Sequence, residues 1–146
     1  MTDTVRYGPL AGVAAAATWI VVEPLVARAF GTTYSDVRLL GRAVTRRRAW
    51  PLVGGAIHLG NGAAFGWALG RIGADRPWHA LAAAQVENAL LWPTLAVVDR
   101  VHPDVRSGAW PPLLRSRRVF GQAVVNHVVF GAALARAARV LAARRS

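Results

Sequence analysis

The chain contains only two glutamates, Glu23 and Glu87, and both lie inside long apolar stretches. A carboxylate at mid-membrane costs roughly 3 kcal/mol on insertion scales, so each marks a candidate functional site rather than a surface charge. The same stretches hold His58, Asn61, Gln85, Asn88, Gln122, Asn126 and His127. Three chemistries suit this set. Carboxyl and imidazole groups withdrawn from water can exchange protons near neutral pH. Glu23, His58, Glu87 and His127 offer the oxygen and nitrogen donors that zinc, iron or manganese take. His58 and His127, each flanked by glycines, are also candidates for holding haem.

Other chemistry finds no support. Di-metal carboxylate bundles supply Glu-x-x-His on two helices, and neither glutamate has a histidine three residues on. No nucleophile is spaced with a base, no glycine loop fits a phosphate, and cysteine is absent. Nothing therefore points to an enzyme, and no cofactor is assigned. His79 and His102 fall at the ends of apolar stretches and read as interfacial or exposed. For the asparagines and glutamines, hydrogen bonding between helices is the expected role.

Helical spacing puts the ionisable residues on inward faces. His58, Gly62, Gly66 and Gly70 recur at i+4, a small-residue ridge for close helix packing, with Asn61, Phe65 and Leu69 as the adjacent stripe. Ala123, His127, Gly131 and Ala135 build the equivalent ridge further on, and Gly12, Ala16, Glu23 and Ala27 share a face in the first stretch. From the helical rise, Glu23 lies roughly 10 Å and both histidines roughly 12 Å from one end of their spans, with Glu87 near the midplane. One layer can hold all four.

Four windows must carry these residues: 9–27, 51–70, 77–98 and 119–135. Apart from the glutamates none contains a charge, and about 20 residues cross the roughly 30 Å hydrocarbon core. Core helices of a soluble domain would keep a polar face, which these lack. Pro9, Pro51 and Pro77 open three windows and Pro111-Pro112 precede the fourth, with Trp50, Trp78 and Trp110 as interfacial anchors. The first window reads as retained: Arg6 is balanced by Asp3, and the apolar run exceeds a signal-peptide core.

The net charge of +11 comes from 18 arginines without a lysine, a usage that fits GC-rich bacterial coding. The arginines are not interleaved with stacking aromatics, so nucleic acid is not the expected partner. They concentrate between windows, as Arg28, Arg38, Arg42, Arg46, Arg47, Arg48, Arg100, Arg106, Arg115, Arg117 and Arg118. The positive-inside rule then places both long connections in the cytoplasm and both termini outside, with Arg136, Arg139, Arg144 and Arg145 arguing the other way. In the first connection, Asp36 is positioned to cap a short helix with Val37, Leu40 and Val44 on one face, lying in the headgroup layer; a solvated basic loop is the alternative.

An internal repeat runs through the chain. Asn61, Phe65, Gly66, Ala68 and Leu69 recur 65 residues later (126 − 61) as Asn126, Phe130, Gly131, Ala133 and Leu134. Asp36-Val37-Arg38 recurs as Asp104-Val105-Arg106 and Trp50-Pro51 as Trp110-Pro111. Each unit reads as two spans, at about 9–70 and 77–140, so its copy keeps the same membrane orientation. The expectation is an all-α, multi-pass inner-membrane protein: one domain over 1–146, a four-helix bundle of two tandem hairpins. Its expected work is proton-linked transport of an ion or small molecule, as a homo-oligomer because four short helices enclose little volume. An accessory subunit of a membrane complex and a membrane metal or haem protein are the alternatives.

Overall fold

The computed structural model describes residues 3–73 and 76–143, and among these every regular element is helical. In chain order these are α1 (Asp3–Phe30), α2 (Asp36–Val44), α3 (Trp50–Arg71), α4 (Pro77–Leu91), a 3-10 turn at Trp92–Thr94, α5 (Leu95–Val101), α6 (Pro103–Arg106) and α7 (Arg117–Ala143). Arg144 and Arg145 lie outside the described residues.

Three helices are long and apolar enough to cross a membrane: Tyr7–Phe30 in α1, Pro77–Val101 across α4 and α5, and α7. The fourth expected span, α3, has the length at 22 residues. Its glycines, His58 and Asn61 interrupt its apolar run.

The helices overrun the windows read from the sequence. Pro9 and Pro24 sit inside α1 rather than before it, and α7 continues past residue 135, carrying Arg136 and Arg139 on its exposed side. Pro51 and Pro77 do occupy first turns, where a missing N–H costs nothing. The third span is not one straight helix. Pro93 has no N–H to continue the ladder, so α4 ends at Leu91 and the chain makes one tight turn before α5. At the end of α1, Gly31 adopts φ 62° and lets the Thr32 N–H return to the Ala27 carbonyl at 2.9 Å.

α1 is the hub, packed between α3 and α7, and α4 packs on the other side of α7. The α1/α3 contact is a four-glycine seam. A Cβ added at Gly12 would lie 1.9 Å from the Gly62 carbonyl oxygen, and one at Gly8 would lie 2.3 Å from that of Gly66. Without a hydrophobic drive between helices in lipid, such backbone approach is what supplies dispersion contact. Gly131 plays this part between α7 and α4, where a Cβ would meet Leu81 Cα at 2.9 Å. Gly70 is buried at the far end of the seam. The expected ridge therefore faces inward.

The rest of the core is made of small residues, Ala11, Ala15, Ala16, Ala80 and Ala84, closed by Trp19, Phe130 and Leu134. Phe65 and Phe130, equivalent in the repeat, meet edge to face at 5.3 Å. Outward positions are large and apolar, including Leu10, Val21, Leu25, Leu52, Val86, Leu90 and Val128, whereas Glu23, Asn88, Gln122 and Asn126 are buried. That inverted distribution suits hydrocarbon as the solvent.

Enlarging a seam glycine should be costly. Gly62→Leu or Gly12→Leu forces two backbones apart, and overpacking of this kind destabilises by about 1–3 kcal/mol or more. Gly60→Ala, where an added Cβ meets nothing within 4 Å, should leave the thermal midpoint of the detergent-solubilised protein unchanged or slightly raised. Equal midpoints for Gly62→Leu and wild type would contradict the seam.

Candidate functional site

Glu23 is 4% exposed, and its carboxylate accepts three hydrogen bonds. The Trp19 indole donates to Oε1 at 3.3 Å, the Asp36 backbone N–H to Oε1 at 2.7 Å, and the Ser35 hydroxyl to Oε2 at 2.6 Å. Trp19 lies one turn earlier on the same face of α1. Ser35, rather than the expected Asp36, is the N-cap of α2: its hydroxyl oxygen also accepts from the Arg38 N–H at 3.3 Å. Glu23 thus meets a helix N-terminus, where free N–H groups and the helix dipole favour an anion. With both oxygens engaged, it acts as an anchor that ties α2 to α1.

From that anchor the two long connections interlock. α2 crosses α3 with Gly54 against the Val37 carbonyl and Gly41 against that of Trp50. This turns Arg38 toward the second connection, where its guanidinium grips Asp104 through Nε to Oδ2 at 3.0 Å and Nη2 to Oδ1 at 2.8 Å. Trp110 donates to the Thr33 carbonyl at 3.0 Å, and His102 stacks flat on the Trp110 ring at 5.1 Å. Gln122 bridges back, donating to the Tyr34 carbonyl and accepting from the Thr32 hydroxyl.

Two expectations are corrected here. Trp110 and His102 are neither surface anchors nor exposed; they are 2% and 3% exposed, because the two connections fold on each other and enclose them. Burial, the foremost cause, pushes the His102 imidazole below its ordinary value. For Asp104 burial acts upward, but the hydrogen bonds and charge of Arg38, with Arg42 beside it, hold the carboxyl below its usual range.

Above this floor lies a cavity of ≈ 310 Å³, walled by α2 and α3 on one side, by α4 and α5 on the other, and by Trp19, Ala123, His127 and Phe130 of α1 and α7. It exists because α3 and α4 make little contact with each other. Of the residues singled out in the sequence, His58, Asn61, Glu87, Asn88 and His127 line it. Glu23 does not, but two of its partners, Trp19 and Asp36, do. Asn126 is buried elsewhere, with its Nδ2 unpaired among the described residues.

The wall residues differ in their freedom. His127 donates its Nδ1–H to the Ala123 carbonyl at 2.7 Å, which leaves Nε2 as the acceptor. His58 Nε2 is buried with no partner among the described residues. The Trp19 ring meets both imidazoles edge-on, at 5.2 Å for His58 and 4.7 Å for His127. Glu87 is partly buried and takes no hydrogen bond or ion pair from any described residue. Gln85, by contrast, donates to the Val124 carbonyl at 3.0 Å and ties α4 to α7.

Asp36 is the wall residue that sequence reading missed, having been seen only as a helix cap. Its Oδ1 accepts from the Tyr34 hydroxyl at 2.8 Å. Burial, and then the neighbouring Glu23 charge, push its carboxyl up to about 8.

Among the described residues no three His, Cys, Asp or Glu side chains are grouped so as to hold a metal ion. Glu23 spends its oxygens on three donors and His127 spends one nitrogen on the backbone. A smaller cavity of ≈ 170 Å³ near Tyr7, Arg76 and Arg139 has neither acid nor histidine in its wall. Comparison with protein-family models, curated proteins and solved structures finds no match to this chain.

The raised Asp36 value has a consequence for stability. The folded protein holds this proton more tightly than the unfolded chain, so the group's contribution is full below 3.8 and is lost as pH rises through about 8. The thermal midpoint of wild type should therefore fall across that window relative to Asp36→Asn, whose amide oxygen can still accept from Tyr34. Parallel profiles for the two proteins would contradict the assignment.

Proposed function

We propose that this protein is a proton-coupled carrier for a small molecule, set in the inner membrane as four spans with α3 included. One observation carries the reading: an acid without a partner among the described residues, Glu87, faces a cavity that also presents Asp36, His58 and His127. An ionised Glu87 holds a ligand or counter-ion; a protonated one releases it. Coupling needs nothing more than competition between proton and ligand for one carboxylate.

Supporting features lie around the cavity. The 3-10 turn at Trp92–Thr94 tightens the third span just beyond Glu87, an irregularity of the kind that marks a hinge. The sparse α3/α4 contact is a seam that opens without dismantling the glycine-packed α1/α3 pair. The accessory-subunit reading needs an outward glycine ridge, and here Gly62 and Gly66 are spent inside. In this proposal the two hairpins form a parallel repeat, the arginine-rich connections face the cytoplasm, and a second copy closes the open α3/α4 side.

Reconstituted vesicles with an imposed pH gradient, offered a panel of labelled cationic, neutral and anionic solutes, test it. At least one solute should move at a rate set by the gradient. Glu87→Gln should reduce that movement by about tenfold or more with little change in thermal midpoint, since the amide resembles the protonated acid. Movement that ignores the gradient, or a variant as active as wild type, would overturn the carrier.

A further inference from the structure

We infer that the cavity takes a lipophilic organic cation, an amine or quaternary ammonium with an aromatic body. This rests on the carrier reading of the same cavity. Sign comes first. The chain carries 18 arginines and a net charge of +11, yet among the described residues no arginine lines the cavity, while two of the chain's seven acids, Asp36 and Glu87, do. An anion would meet the Glu87 carboxylate, joined above about pH 8 by that of Asp36, and no guanidinium, in a site where water screens little.

The second argument is the wall. Trp19, Tyr34, Phe65, Trp92 and Phe130 line one cavity. A ring that turns its face to a cation attracts it, the more so when the cation is desolvated, and all five rings bury an apolar body. Size supplies the third. A volume of ≈ 310 Å³ lies at the lower end of small-molecule sites, roughly 300–1,000 Å³. It is far larger than a bare inorganic ion needs, and among the described residues no three ligating side chains are grouped for one.

The groups that face Glu87 set the pH response. They are Asp36 from α2, His58 from α3 and His127 from α7, with Glu23 of α1 held behind Asp36. When protons are scarce the acids are charged and the imidazoles neutral, so the site is negative and holds the cation. When protons are abundant, Glu87 loses its charge and any protonated imidazole repels the ligand. One cation for one proton is an electroneutral exchange.

Benzyltrimethylammonium, its uncharged shape-mate neopentylbenzene and the anion phenylmethanesulfonate provide probes of nearly one shape and three charges. Equilibrium binding to the full chain in lipid nanodiscs should favour the ammonium over the hydrocarbon by about tenfold or more and show no sulfonate binding. That preference should weaken as pH falls and vanish at neutral pH in Glu87→Gln, while above about pH 8, where Asp36 is ionised too, Asp36→Asn should also lower it. Equal binding of the ammonium and the hydrocarbon, or a preference that survives both substitutions, would overturn the inference. If the ammonium does not bind while another solute still moves with the pH gradient, the cation assignment fails and the carrier stands. If nothing binds and nothing moves, both fail.

Discussion

A carboxylate buried in an apolar helix must find donors or leave, and Glu23 finds them in the segment just beyond its own helix. Its bonds to Ser35 and to the Asp36 N–H start α2 at a fixed point on α1. Everything at that end of the molecule follows from where α2 begins. The Gly41/Gly54 crossing then seats it on α3, and only from that seat does Arg38 reach Asp104. Without the anchor, α2 would lose the point on α1 from which Arg38 is aimed at Asp104.

The spans themselves are held by a different force. Small residues bring α1, α3, α7 and α4 into backbone contact, and dispersion rather than water exclusion does the holding. Such packing leaves no room where two helices meet and leaves a gap where they do not. The gap between α3 and α4 collects the polar side chains that the seams exclude, and that is why His58, Asn61, Glu87 and Asn88 line one cavity. The two glutamates, alike in sequence, divide into an anchor with three donors and an acid with none.

Much of this was legible in the chain. The inward glycine ridge, the short helix after residue 35 and the gathering of His58, Glu87 and His127 all follow from spacing and the cost of polar groups in lipid. The division between the glutamates did not follow, because it depends on Ser35 and Asp36 returning to α1, a contact across a turn that periodicity does not encode. Trp110 and His102 misled for a related reason: their burial comes from one connection folding on another. The break after Leu91 was written in Pro93 but hidden by the unbroken apolar run around it.

The division of labour between the glutamates is the centre of the account, and labelling with dicyclohexylcarbodiimide tests it on the unaltered protein in its lipid. The reagent partitions into hydrocarbon and modifies protonated carboxyls it can reach. Glu87, facing the cavity without a partner, should be labelled when the protein is digested and its peptides weighed. Glu23, 4% exposed and holding three donors, should not. Label on Glu23, or an unreactive Glu87, would contradict the account.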